Sequence, residues 1–244
     1  MVITSFDNEK VKKYKKLQKK KYRDEYNQYI VEGTHLVLEA FKRGAIEELI
    51  LQEYADLPVP APYTYVSKEI MQKISTMETP STVMALCNRF VSEDIIGERI
   101  LILDEIQDPG NLGTIIRSAA AFNISTIILS ENTVDLYNPK VLRATQGMFY
   151  HVNIISRNAS EVVTLLHNLE IPVYGTDVGG GCDVRSLEAN EKEKFALVVG
   201  NEGNGVRSEI SHMCDKNLYI KMNKNVESLN VAIATSILLY ELGR

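Results

Sequence analysis

Ile100-Leu101-Ile102-Leu103, running into Asp104-Glu105-Ile106-Gln107-Asp108-Pro109-Gly110-Asn111, is a short apolar run that ends in a polar turn. An unbroken apolar run of this length is the pattern of a strand buried on both faces, and Pro-Gly marks a turn before a helix expected over 112–122 with Asn111 as its N-cap. Similar runs recur at 126–129, 152–155, 173–176, 196–199 and 218–220, alternating with helices. That alternation predicts an α/β domain with a mostly parallel sheet covered on both sides. A last helix, expected to open at Ser228, is apolar almost all round through Val231, Ile233, Ile237, Leu238 and Leu239, so a second subunit is expected to bury it.

Upstream lies a smaller α/β unit of different character. From Lys10 to Arg23 there are nine basic residues and no acidic one, with Val11, Tyr14, Leu17 and Tyr22 on one side of a single expected helix. The net charge of −5 therefore hides a positive end. Crowded like charges repel, and phosphates relieve that repulsion, so this helix is read as contacting RNA through Lys12, Lys13, Lys15, Lys16, Lys20 and Arg23. A second helical pattern over 34–43 ends at Gly44, strands are expected at 49–51 and 83–87, and 57–62 is a proline-rich loop between them. Val66, Ile70 and Ile74 open a further helix. Ser92-Glu93-Asp94 reads as a linker, with Val91, Ile95 and Ile96 equally able to extend the flanking strand. Domains are thus expected at 1–92 and 98–244.

With 244 residues, 45% hydrophobic, the chain can bury a sizeable core, and no apolar run approaches the roughly 18 residues that cross a bilayer. Lysines follow the first residues where a signal peptide needs an apolar stretch, so a cytoplasmic protein is expected. Cys87, Cys182 and Cys214 are too scattered for a disulfide framework, and no His or Cys spacing suggests a metal site.

Two further segments carry polar groups at strand ends. Gly200-Asn201-Glu202-Gly203-Asn204-Gly205 follows the run at 196–199, and its glycines let backbone approach a ligand closely. The spacing matches neither the dinucleotide-binding fingerprint nor a P-loop. Lys221-Met222-Asn223-Lys224-Asn225-Val226-Glu227-Ser228-Leu229-Asn230 joins the last strand to the last helix. There, Asn230 places an amide in the first turn of an apolar helix, where it needs a partner. Asn138-Pro139-Lys140-Val141-Leu142-Arg143 adds two cations, Lys140 and Arg143, that either face RNA or simply coat a helix.

These three segments, in this order, resemble the sequence motifs of the SpoU (TrmH-like) RNA ribose methyltransferases, and residues 1–92 resemble the substrate-binding domain that precedes them in many members. The resemblance implies a SPOUT-type α/β domain with a trefoil knot, after a ribosomal-protein-like RNA-binding domain. It implies S-adenosylmethionine as cofactor, held by Thr176, Gly200, Ile220 and Leu229, and a catalytic set of Asn111, Arg117, Glu202, Ser228 and Asn230. It further implies a homodimer in which Arg117 comes from the other subunit. A guanidinium holds its proton to a pH above about 12, so Arg117 is better suited to anchoring phosphate or orienting the ribose hydroxyl than to acting as a base. Glu202 is a candidate proton acceptor if burial raises its pKa. Lys221 stands where the family has proline.

Large-subunit ribosomal RNA is the expected substrate, with transfer RNA as the alternative. A non-catalytic RNA-binding or ribosome-assembly factor and a nicotinamide-dependent oxidoreductase are the rival classes. The intact polar set argues against the first and the missing fingerprint against the second.

Overall fold

In a computed structural model of the chain, residues 2–90, 94–95 and 97–243 are described; Ser92 and Glu93 of the expected linker, with Val91 and Ile96, lie outside them. The first elements are β1 (Val2–Ile3), α1 (Glu9–Lys16), α2 (Lys20–Tyr26), β2 (Gln28–Glu32), α3 (Thr34–Lys42), β3 (Ile46–Gln52), β4 (Tyr63–Val66), α4 (Lys68–Ile74) and β5 (Val83–Asn88). They build a mixed sheet in the order β1-β4-β3-β5-β2, in which β5 runs antiparallel to both its neighbours. Val11, Tyr14 and Leu17 pack with Ile70, Met71 and Ile74 of α4 over Ile50 and Met84 of the sheet.

The lysine-rich segment is two helices rather than one. The chain turns extended at Lys19, and α1 ends at Leu17, which is 2% exposed. Arg23 explains the break. Its Nη1 donates to the carbonyls of Leu17 and Gln18, both at 2.9 Å, capping the end of α1.

Next come β6 (Arg99–Leu103), α5 (Pro109–Ala121) and β7 (Thr126–Leu129). The chain then contributes Asp135–Tyr150, with α6 (Pro139–Thr145), to the compact unit formed by Met1–Val91. Asp135 ties this segment to the unit: its carboxylate accepts from Arg23 at 2.6 Å and 3.1 Å, an ion pair with Arg23 only 3% exposed.

The second unit resumes with β8 (Asn153–Ser156), α7 (Ala159–Asn168), β9 (Val173–Thr176), β10 (Cys182–Asp183), β11 (Phe195–Val199), α8 (Ser208–Ser211), β12 (Lys216–Tyr219) and α9 (Val231–Leu242). Its seven strands are parallel throughout, in the order β10-β12-β9-β11-β6-β7-β8. Both faces are covered: Ile100 and Ile102 pack with Ala196, Val198 and the α7 residues Val162, Val163 and Leu166, while Leu101, Leu103 and Leu197 are equally buried. The short strand β10 gave no periodic signal.

Two expected helix starts move. Asp108, directly before Pro109, caps α5 by accepting from Asn111 N at 2.8 Å, with Pro in the first turn where its missing N–H costs nothing. Asn111 is therefore released from capping. At the other end Asn230, not Ser228, caps α9, accepting from Ala232 N and Ile233 N.

Candidate active site

Strands β12, β9, β11 and β6 lie side by side and end at one edge of the sheet, since Leu218 is in register with Thr176, Leu197 with Tyr174, and Val199 with Leu103. The segments that leave them therefore start next to one another. Carboxyl ends of adjacent parallel strands are where open α/β sheets place ligands.

The loop after β11 doubles back on itself. Asn201 and Gly205 exchange backbone hydrogen bonds at 3.0 Å and 2.9 Å, and the Asn201 side chain accepts from Gly203 N and Asn204 N. A side chain at position 200 would put its Cβ 2.0 Å from the Gly205 carbonyl carbon and the Val206 nitrogen. Only glycine fits there.

Beside this loop is a cavity of about 520 Å³, lined by Thr176, Gly200, Glu202, Ile220, Ser228 and Leu229 among others. All four residues expected to hold a cofactor thus face one space, with two of the expected catalytic residues. Val199, Leu218 and Leu238 supply apolar wall; Asp177, Ser208 and His212 supply polar groups that the sequence reading did not single out. The size and mixed lining suit a nucleoside with a polar tail, small-molecule clefts running to about 300–1,000 Å³.

Three of the expected catalytic side chains form one chain of hydrogen bonds. Asn230 Nδ2 donates to Asn111 Oδ1 at 2.9 Å, and Asn111 Nδ2 donates to Glu202 Oε1 at 3.0 Å. Glu202 also accepts from Asp108 N at 2.9 Å and Gln107 N at 3.1 Å. Desolvation pushes the Glu202 pKa up, but the Asn111 amide and these backbone donors outweigh it and hold the carboxyl below its usual range. Glu202 is therefore an anion that fixes the loops after β6 and β11 to each other, and the expectation that burial readies it to take a proton is corrected.

Arg117 stands apart from this network. It lies on an exposed part of α5, six residues beyond Asn111 and so turned away from it around the helix, and its side chain makes no hydrogen bond or ion pair among the described residues. Ser228 is exposed at the cavity, also without a hydrogen bond among the described residues.

Of the cations assigned to RNA, Arg23 is corrected: burial and its bonds to Asp135, Leu17 and Gln18 make it a structural link. Lys12, Lys15, Lys16 and Lys20 are exposed and Lys13 half-buried. Lys20 pairs with Asp24 at 2.7 Å, and Lys12 with Glu9, whose hydrogen bond raises the Lys12 pKa. Lys15 lies against Lys73, which lowers its pKa. Tyr22, expected on the packing side of the helix but only half-buried, and Tyr26, which the sequence did not single out, stack within this surface, with Lys16 and Lys13 over their rings at 5.5 Å and 5.6 Å. Lys140 is exposed, while Arg143 is half-buried and donates to Thr76 Oγ1 at 2.6 Å. Among the described residues no cluster of three or more His, Cys, Asp or Glu could hold a metal ion, and no helix is long and apolar enough to cross a membrane.

Residues 98–240 match the SpoU rRNA Methylase family, and residues 8–85 match the MRM3-like substrate binding domain. The chain is 37% identical to the 23S rRNA (guanosine(2553)-2′-O)-methyltransferase RlmP of Bacillus subtilis, over 98% of both chains. Among solved structures, the AdoMet-bound rRNA methyltransferase from Sinorhizobium meliloti superposes with a TM-score of 0.88 at 29% identity, covering 99% of this chain and 97% of that one. An RNA 2′-O ribose methyltransferase superposes with a TM-score of 0.85 at 26% identity, covering 99% and 98%.

Proposed function

The chain belongs to the SpoU rRNA methylase family, and on that premise we propose how its cavity and polar network serve S-adenosylmethionine-dependent 2′-O-methylation of 23S ribosomal RNA. Cavity volume and lining fit the cofactor, with Thr176, Gly200, Ile220 and Leu229 as its holders. When bound, S-adenosylmethionine supplies an electrophilic methyl group. The family's trefoil knot is the arrangement we assign to the segments carrying Gly200, Ile220 and Leu229.

The observation that carries the catalytic reading is the Asn230–Asn111–Glu202 chain, of which Glu202 lines the cavity. Each member has its orientation set by the next. Asn230 Oδ1 is committed to the α9 cap, so its Nδ2 must face Asn111; Asn111 Oδ1 receives that bond, so its Nδ2 must face Glu202. One N–H on each amide is left over, and these are the groups assigned to orient the ribose hydroxyls. Such donors, fixed in advance, need no reorganisation when charge develops. Ser228 adds a hydroxyl at the same cavity.

Arg117 completes a neighbouring site from the other subunit of a homodimer, where it anchors an RNA phosphate. Ile233 and Tyr240 of α9 are 53% and 48% exposed, an apolar helix surface that a second copy would cover. Residues 1–92 act as the RNA-binding domain through Lys12, Lys13, Lys15, Lys16 and Lys20, and Lys140, on the Asp135–Tyr150 segment of the same compact unit, adds a further cation. The substrate nucleotide is assigned by analogy with the Bacillus subtilis relative, and the place of action is the cytoplasm, where ribosomal RNA is available.

Incubation with methyl-labelled S-adenosylmethionine and unmodified 23S ribosomal RNA tests this. Label in a single alkali-resistant dinucleotide, mapping to the guanosine that corresponds to the relative's target, is expected. Label confined to transfer RNA, or to a base instead of a ribose, would overturn the assignment.

A further inference from the structure

Asp104 directly follows β6 with no solvent exposure, and the proposed chemistry leaves it without a task. A buried carboxylate is costly unless paired and hydrogen-bonded. Arg207 meets the whole of that demand. Asp104 Oδ1 accepts from Arg207 Nε at 2.9 Å and lies 2.7 Å from Nη2, while Oδ2 accepts from the Arg207 backbone N at 3.0 Å. Charge-assisted bonds in this forked geometry fix direction as well as distance.

The position of Arg207 gives the pair its significance. Val206 before it and Ser208 after it both line the cavity, so the residue held by Asp104 joins the end of the Gly200–Val206 loop to the next stretch of cavity wall. Gly200 has space only for hydrogen because the return leg of that loop lies on top of it. Glu105 braces the outgoing side. It adopts a φ of 59°, rare for a residue with a side chain, and is held there from three directions: its N–H donates to Ser130 Oγ, its carbonyl accepts from Asn201 Nδ2, and its carboxylate accepts from Asn132 Nδ2.

We infer that Asp104 and Arg207 are positioning residues for the cofactor: their ion pair holds the return leg of the 200–206 loop against Gly200, shaping the cavity before S-adenosylmethionine enters. Neither touches the reacting atoms. Their contribution lies in cofactor affinity, because a loop ordered in advance loses less freedom on binding.

The inference rests on the cavity being the S-adenosylmethionine site, and the test separates the two. Calorimetric titration of S-adenosylmethionine is compared for the full chain as wild type, Arg207→Gln and Asp104→Asn, with kcat and KM for the cofactor, RNA affinity and the thermal midpoint. Arg207 is partly exposed, so Arg207→Gln is the variant expected to fold even if Asp104→Asn does not. Its cofactor affinity should fall by about tenfold or more, with KM rising in step and kcat at saturating cofactor and RNA affinity unchanged. A pair that serves stability alone lowers the thermal midpoint and leaves that affinity within about fivefold, which overturns the inference, as does a loss carried by kcat. A wild-type chain that binds no S-adenosylmethionine overturns the reading of the cavity itself.

Discussion

Asn230 Nδ2 donates to Asn111 Oδ1 at 2.9 Å, joining the start of α9 to the first turn of α5 although the residues are 119 positions apart. The same side chain caps α9 through its oxygen, so Asn230 has two separable tasks. Asn230→Asp keeps a good capping oxygen but loses the donor to Asn111, whereas Asn230→Ala loses both. Both variants are expected to lose methyl transfer, but only alanine is expected to cost about 1 kcal/mol of stability by the capping effect. Urea unfolding alongside single-turnover methylation decides the matter; an active Asn230→Asp enzyme would remove the amide bridge from the mechanism.

Glu202 sets the pH behaviour of this network. Its folded-state pKa is depressed, so the stability it contributes is present above the ordinary glutamate value and is lost as pH falls through that value toward the folded one. The difference in unfolding free energy between wild type and Glu202→Gln is expected to be present at neutrality and to shrink below about pH 4. Its size is small, because Glu202 is exposed and solvent screens it. In pH–rate profiles, an acidic limb between about pH 6 and 8 that vanishes in Glu202→Gln would contradict its role as a permanently charged anchor.

Much of the second unit could be read directly. Strands such as Ile100–Leu103 are buried on both faces and advertise it by continuous apolar composition, and strand ends then locate Gly200 and Glu202. The helix starts were less legible because capping signals compete: Asn111 and Ser228 are as good caps by composition as Asp108 and Asn230, and only the tertiary bond between Asn111 and Asn230 decides how each amide is used. Arg23 fails for the same reason. In the sequence it is one more cation in a basic run, and its partner Asp135 is 112 residues away.

That difference between Arg23 and its neighbours is testable. Removing one member of a buried pair leaves an uncompensated charge, so Arg23→Ala should cost about 3–5 kcal/mol of stability. Replacing Lys12, Lys13, Lys15 and Lys16 together with glutamine should leave stability nearly unchanged, weaken RNA binding and flatten the dependence of affinity on salt. Filter binding over a salt series, with thermal unfolding of each variant, distinguishes the two effects; unaltered RNA affinity in the quadruple variant would remove the α1 surface from the interface.

The isolation of Arg117 from Asn111 and Asn230 leads to a prediction about assembly. If each site takes Arg117 from the partner subunit, an Arg117→Ala chain still offers its own Asn230, and an Asn230→Asp chain still offers Arg117. Each variant alone is expected to be inactive. Unfolded together and refolded, they form mixed dimers in which one of the two sites has every group intact. With random pairing this restores about a quarter of wild-type activity. Sites built within one chain leave the mixture as inactive as its components, so the specific activity of the refolded mixture decides between the two arrangements.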